Sequence, residues 1–333
     1  MATAATKRKA VQIGTHSGTF HCDEALGCFM LKLTPQFQDC SIVRSRDASV
    51  LADCDVIIDV GGVYEPENNR FDHHQRGFSE VFGHGYNTKL SSAGLVYKHY
   101  GRDVIASHMK LPADHPDVET VYLEVYKNFI EAVDAVDNGV NQFDTDSPAK
   151  YIVNTTLGSR VARLNPTWNQ PYNDETLDAG FAKAMELAGK EFLESVHYVA
   201  DVWLPAKQIV ATAIAERHQV DPSGQIIVLK QGCCPWKDHL FNLEKELAVE
   251  VPILYVLYED ERERKWRIQC VPPTFGSFDQ RKSMPEAWRG LRDEALSAVC
   301  GVPGCVFVHA SGFIGGNATY EGVVEMARKS VAA

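Results

Sequence analysis

Val56-Ile57-Ile58 is an unbroken apolar run that stops on a carboxylate, Asp59, and shortly afterwards on Gly61-Gly62. A strand over Asp55 to Val60 therefore has no polar face to turn to water, and it fits a parallel strand buried on both sides of an α/β sheet. Open α/β sheets put their sites just outside the carboxyl ends of the strands, which is where Asp59 falls.

Three other segments bring similar side chains to element ends. Ala10 to Gly14 reads as a short strand entering a loop, His16 to His21. A helix follows from Cys22, with Ala25, Leu26, Phe29, Met30 and Leu33 on one stripe, and Pro35 ends it. His21, Asp23 and Glu24 thus sit at a helix N-terminus just past a strand. Phe71-Asp72-His73-His74-Gln75 sets an acid beside two imidazoles, followed by a Gly-, Phe- and His-rich stretch over 77–87 that reads as a loop at the rim of the site. Val118 to Val136 carries a helical apolar stripe that leaves Asp134 and Asp137 at its end, before Asn138-Gly139. Taken singly, such an Asp is usually a turn former and such a His a capped or packed residue. Four ligand-bearing segments together point to a metal centre. The sequence leaves open whether Asp134 or Asp137 is the ligand of the last segment.

Imidazole and carboxylate together suit manganese, iron, cobalt or zinc better than calcium. Two such ions about 3.5–4 Å apart clamp a phosphoryl group and bring the pKa of a water toward neutrality. That arrangement requires a carboxylate able to bridge, and a strand-end aspartate such as Asp59 has the two oxygens for it.

At 333 residues the chain exceeds what one core usually supports, so two domains are expected. Residues 1–9, with Lys7-Arg8-Lys9, read as a flexible tail. Residues 10–204 read as the catalytic domain, closed by a long helical pattern from Asp174 to Trp203, with an irregular stretch over 157–173 before it. A linker is expected over 205–222, part of it helical in the alternative reading, and a smaller α/β domain over 223–333. In the latter, strands are expected at 226–229, 253–258, 266–271 and 305–308, with helices at 236–248 and from about 320. The formal net charge of −11 argues against broad duplex binding through a basic footprint. No window approaches the ~20 apolar residues of a membrane span. Nine cysteines without a paired Cys-x-x-Cys motif argue against a zinc ribbon and for a reducing compartment. No clear transit peptide is seen, so a cytoplasmic or nuclear location, or both, is expected, with a mitochondrial form left open.

The segments Ile13-Gly14-Thr15-His16, Phe20-His21-Cys22-Asp23-Glu24-Ala25, Phe71 to Gln75 and Asp134 to Gly139 resemble those of the DHH phosphoesterase superfamily. With Pro285 to Leu291 and His309 to Gly316 they are most similar to one branch, the melanocyte-proliferating-gene exonuclease family, over nearly the whole chain. The resemblance implies a DHH-type parallel-sheet domain, a C-terminal substrate-binding domain and an active site in the cleft between them. It implies two ions, expected to be Mn2+: one held by His16, His21 and Asp59, the other by Asp23, Asp59, His73 and Asp137. His74 would touch the scissile phosphate and Asp72 would orient its neighbours. One departure stands out. The superfamily usually has an aspartate where this chain has His21, and the loop from His16 is one residue longer, so the first ion would be held with less negative charge.

Within the C-terminal domain the resemblance implies substrate contacts at His309, Ser311, Gly312, Gly315 and Gly316. Small residues there would let backbone N–H groups approach an anion. Arg267 and Arg281, with Lys282, Arg289 and Arg292, are candidates for phosphate contacts, and Trp266, Phe275, Phe278 and Phe313 for base stacking. The expected activity is metal-dependent phosphodiester hydrolysis of RNA or short oligonucleotides, with 3′→5′ polarity implied by the resemblance alone. A small-molecule phosphatase (a pyrophosphatase or nucleotide phosphodiesterase) would use the same centre. A non-catalytic RNA-binding protein that keeps its metals for stability is the remaining alternative.

Overall fold

Residues 11–333 are described here by a computed structural model. The expected tail with Lys7-Arg8-Lys9 lies outside the described residues. One unit of the chain ends at Ala200 and a second runs from Asp201 to Ala333.

The first unit begins with β1 (Gln12–Thr15), α1 (Cys22–Lys32), β2 (Ser41–Arg44), α2 (Ala48–Leu51) and β3 (Val56–Ile58). Then come β4 (Tyr64–Glu65), β5 (Arg70–Phe71) and the hairpin β6 (Val81–Gly83) and β7 (Tyr86–Lys89). Helix α3 (Ser92–Met109) is followed by α4 (Pro116–Val125), which passes through a π-helical segment, Tyr126–Ile130, into α5 (Glu131–Asp137). Helices α6 (Leu157–Ala162) and α7 (Asp174–His197) complete the unit.

Five of these strands form a sheet in the order β2-β1-β3-β5-β4. β1 pairs in parallel with both β2 and β3, β3 pairs in parallel with β5, and only β4 is antiparallel. All three β3 residues are buried, as the apolar run requires. Because β2 and β3 flank β1 on opposite sides, the chain leaves β1 in two directions, which opens a crevice at the strand ends. α1 packs against α3 and α7 to cover the sheet.

The stretch over 77–87 is no plain loop: it contains most of the β6–β7 hairpin. The cause is Phe82, which is buried and stacks on Tyr126 with centroids 3.6 Å apart. The expected irregular stretch over 157–173 begins with α6, capped by Thr156, whose side chain accepts from Ser159 N.

The second unit starts in the stretch read as a linker. That stretch is helical, as α8 (Leu204–Ala215) and α9 (Arg217–Val220). Val210, Ala213 and Ile214 of α8 are buried against Ile227, Leu229 and Val256, burial that a linker would not have. The chain continues through β8 (Ile226–Leu229), α10 (Trp236–Glu246), β9 (Tyr255–Glu259) and β10 (Trp266–Cys270). It ends with α11 (Asp293–Cys300), β11 (Cys305–Val308), β12 (Ile314–Asn317) and α12 (Tyr320–Ala332). The sheet order is β11-β12-β10-β9-β8, parallel only between β8 and β9. A second core lies between this sheet and α11 and α12.

The glycine-rich stretch is a correction to the expected anion loop. Gly315 and Gly316 belong to β12, paired with β10 on one side and β11 on the other. An interior strand spends its amides on its neighbours, so these two glycines do not form an anion-binding nest. Their smallness serves packing instead: a Cβ on Gly316 would sit 2.9 Å from Trp266 O and 3.0 Å from Arg267 Nη1. No helix among the described residues is long and apolar enough to cross a membrane. The nine cysteines are free thiols.

Candidate metal centre

The carboxyl ends of β1, β3 and β5 deliver His16, Asp59 and the Asp72-His73-His74 run to one crevice. The N-terminus of α1 adds His21, Asp23 and Glu24, and the end of α5 adds Asp137. Side chains from segments more than a hundred residues apart thus meet in one place, within the first unit.

Asp59 stands at the centre. Its backbone has φ 58°, a left-handed conformation that a non-glycine residue adopts at a cost, and it turns the carboxylate into the crevice. Oδ2 lies 3.4 Å from His16 Nε2, and Oδ1 lies 3.4 Å from both His73 Nε2 and His74 Nδ1. Ser92 Oγ donates to Oδ1 at 3.1 Å and fixes the rotamer. Burial alone would raise the Asp59 carboxyl, but His16 and His73 outweigh it and hold the group below the ordinary carboxylate range.

Two imidazoles respond in the opposite sense. Burial would lower His16, but Asp59 and Glu24 lift it to about 9. Burial would likewise lower His73, but Asp137 and Asp59 lift it to about 9. Asp137 Oδ2 is 3.2 Å from His73 Nε2, and Glu24 Oε1 is 3.0 Å from His16 Nε2.

Asp23 supplies the test of fit for metal ions. Both of its carboxylate oxygens are buried without a hydrogen-bond partner, as is Glu24 Oε2. Burial, then the charges of Asp59, Asp137 and Glu24, push the Asp23 carboxyl well above its ordinary value. Clustered buried carboxylates with orphaned oxygens are costly unless a cation is held among them. The donor atoms of His16, His21, Glu24 and Asp59 lie within 4.8 Å of one another, as do those of Asp23, His73 and Asp137. Nitrogen and oxygen donors at such spacing could hold metal ions.

Asp72 is buried and spends its oxygens on its own neighbours. Its Oδ2 accepts from Gly62 N at 2.6 Å, and its Oδ1 accepts from His74 N at 3.2 Å and pairs with His74 Nδ1 at 2.8 Å. A carboxylate accepts, so Nδ1 carries the hydrogen and Nε2 is left for another partner. The His74 side chain is 62% exposed, which leaves that nitrogen open to a substrate.

The pair that the sequence left open separates here. Asp134 is fully buried and already satisfied: Oδ1 accepts from Ser91 N at 2.9 Å and Ser91 Oγ at 2.8 Å, and Oδ2 from Tyr126 OH at 3.1 Å. It ties the start of α3 to α5. Asp137, one helical turn on, is the one that reaches His73.

A cavity of about 820 Å³ adjoins the centre. Asp23, Asp59, His73, His74 and Asp137 form one wall, and Phe129, Val133, Val136 and Leu157 another; among the described residues Lys89 is the one lysine or arginine in its lining.

The sequence-predicted contacts of the second unit are dispersed by comparison. Arg281 is clamped by Glu244, with both guanidinium pairs at 2.7 Å, and it also donates to Ile253 O, so it holds the fold. Lys282 and Arg289 donate to the carbonyls of Val331 and Met284. Arg267 keeps one buried guanidinium nitrogen, Nη1, without a partner, beside Gly316. His309 Nδ1 and Ser311 Oγ lie 2.9 Å apart on an exposed turn, where Gly312 has φ 73°. Phe278 is wholly exposed, and Phe313 packs edge-on against His309. Among residues outside the predicted ligand set, Glu24, Ser92 and Gly62 matter most. Of these, only Glu24 had a sequence signal, its place with His21 and Asp23 among the ligand-type side chains at the start of the first helix.

Residues 12–331 match the model of the MYG1 exonuclease family, described as an uncharacterised protein family (UPF0160). The chain is 52% identical over 326 residues to the MYG1 exonuclease of Homo sapiens, covering 96% of this chain and 86% of that one. It is 47% identical to a MYG1 protein of Caenorhabditis elegans (96% of this chain, 94% of that one) and 46% to one of Saccharomyces cerevisiae (96% of each). No solved structure matches it.

Proposed function

From the premise that the chain belongs to the MYG1 exonuclease family, we propose that it is a metal-dependent phosphodiester hydrolase that shortens single-stranded RNA or short oligonucleotides from the 3′ end. The observation that carries this reading is the position of Asp59, with one carboxylate oxygen toward His16 and the other toward His73. A carboxylate so placed can bridge two ions.

His16, His21 and Asp59 would hold one Mn2+, and Asp23, Asp59, His73 and Asp137 the other. A cation pair supplies an activated water at neutral pH and offsets charge on the phosphate oxygens. The remaining work falls to the chain. Ser92 and the strained backbone fix Asp59 before substrate arrives. Asp72 holds the His74 ring through Nδ1 so that Nε2 faces the substrate, where, with the ring in its imidazolium form, it would donate to a phosphate oxygen as charge develops there. The apolar wall of Phe129, Val133, Val136 and Leu157 excludes water and receives the nucleoside. In the second unit, Arg267, His309, Ser311 and Gly312 would contact the substrate.

The cavity favours this reading over pyrophosphate hydrolysis. Pyrophosphate asks for a small space walled by Lys and Arg, whereas this one is about 820 Å³ with a largely apolar far wall and one lysine.

The test uses one short single-stranded RNA, labelled in separate samples at each end and followed under single-turnover conditions. A one-nucleotide ladder receding from the 3′ end with Mn2+, absent with EDTA and with Asp59→Asn, is the expected result. RNA left intact by the wild-type protein in Mn2+, with pyrophosphate or a cyclic nucleotide consumed instead, would overturn it.

A further inference from the structure

We propose that Glu24 is an anionic ligand of the first ion, and that the two metal positions consequently differ in charge and in the metal they select. The inference rests on reading the centre as dinuclear. The starting point is the departure seen in the sequence: His21 stands where the superfamily has an aspartate. Without a substitute, the only negative ligand of the first ion would be Asp59, which it shares with the second.

Glu24 lies where the substitute is needed. It is the third residue of α1, and its Oε1 accepts from the His21 backbone N–H at 2.7 Å, so the side chain folds back over the first turn toward the loop. The same oxygen is 3.0 Å from His16 Nε2. Helix capping accounts for that one oxygen. It gives no reason to bury the residue completely or to leave Oε2 inside the protein without a partner. An unpaired buried carboxylate oxygen is costly, and a cation beside it removes the cost. His16, His21, Glu24 and Asp59 also bring one donor atom each to within 4.8 Å of the others, a complete four-donor set.

The two sets are then unlike. The first has two imidazoles and two carboxylates. The second, with Asp23, Asp59, His73 and Asp137, has one imidazole and three carboxylates. Oxygen-rich, more anionic sites suit manganese, and imidazole-rich ones favour zinc, iron or cobalt. Manganese therefore fills the second position first, and zinc offered in competition goes to the first.

The experiment measures bound metal directly, by equilibrium dialysis of chelator-stripped protein against MnCl2 alone and against excess MnCl2 with ZnCl2 limited to one equivalent of protein, followed by elemental analysis. The wild-type protein is expected to take two Mn2+ in unequal steps, and one of each from the mixture. Glu24→Gln keeps a carbonyl oxygen to cap α1; it should retain one Mn2+ at wild-type affinity and bind the other at least about 100-fold more weakly. Its circular dichroism and metal-free melting temperature report that it folds. If that variant is unfolded, Glu24→Asp, which keeps the charge but shortens the reach, is expected to show the same selective weakening. Two Mn2+ at wild-type affinity in folded Glu24→Gln, or loss of both ions from it, would overturn the inference. Fewer than two ions on the wild-type protein would instead refute the dinuclear reading itself.

Discussion

Oδ1 of Asp59 lies 3.4 Å from Nε2 of His73, while its other oxygen faces His16 at the same distance. One side chain thus divides the centre into two halves, and each prediction below depends on which half, or which support, a residue belongs to.

His74 and Asp72 act on the substrate side. His74→Ala should bind metal as the wild type does, yet lose about 10²–10³-fold in kcat, the effect of removing one donor aimed at developing charge. Asp72→Asn disturbs the ring that Asp72 holds and should cost about 10–100-fold. Dialysis and single-turnover rates on the same preparations separate the two effects.

Asp134 and Asp137 should exchange phenotypes. Asp134→Ala strands Ser91 N and Oγ and Tyr126 OH in the interior, and should destabilise the protein by about 3 kcal/mol while leaving the metal ligands in place. Asp137→Asn, at a more exposed position, should change stability by only about 0.5 kcal/mol but weaken the second ion about 100-fold or more. Denaturant unfolding of stripped protein and metal dialysis of both variants check this. Gly94→Ala should mimic Asp134→Ala, because its Cβ would fall 2.2 Å from Asp134 Oδ1.

The pH dependence of stability should be abolished by metal. In stripped protein, His16 and His73 titrate at about 9 rather than 6.5. A histidine raised in the fold contributes stability that is fully present below 6.5 and is lost as pH rises through about 9. Metal binding needs both rings neutral and expels their protons, so the affinity for each ion should rise up to about tenfold per pH unit over the same window. Between these limits the melting temperature should fall with pH without Mn2+ and stay nearly level with saturating Mn2+.

Arg281 and Arg267 should likewise differ. Arg281→Ala breaks a clamp on Glu244 and should lower the melting temperature without a specific effect on KM. Arg267→Lys keeps the charge but loses the planar fork that also pairs with Asp260 and Glu263, and should raise KM for RNA as well as lower the melting temperature slightly. Steady-state kinetics and thermal unfolding of both variants distinguish them.

Much of this was legible because strand and ligand signals coincide. The apolar run into Asp59 forces a buried parallel strand, and the His16 and His73 segments end strands beside it. Asp134 against Asp137 was not legible, because sequence spacing cannot say which of two acids meets Ser91 and which meets His73. The strand character of Gly315-Gly316 was hidden by its composition, since neighbours on both sides, not the glycines, impose the extended form. The helices at 204–220 were read only in part because Pro205 reads as a break, whereas a π-helical segment, Tyr198–Trp203, carries the chain past it into α8.

The most direct test of the bridging role of Asp59 is electron paramagnetic resonance of the protein loaded with two equivalents of Mn2+. The account predicts an exchange-coupled Mn2+ pair, replaced by the spectrum of isolated ions in Asp59→Asn. Two uncoupled Mn2+ signals in the wild-type protein, or an unchanged coupled signal in the variant, would contradict it.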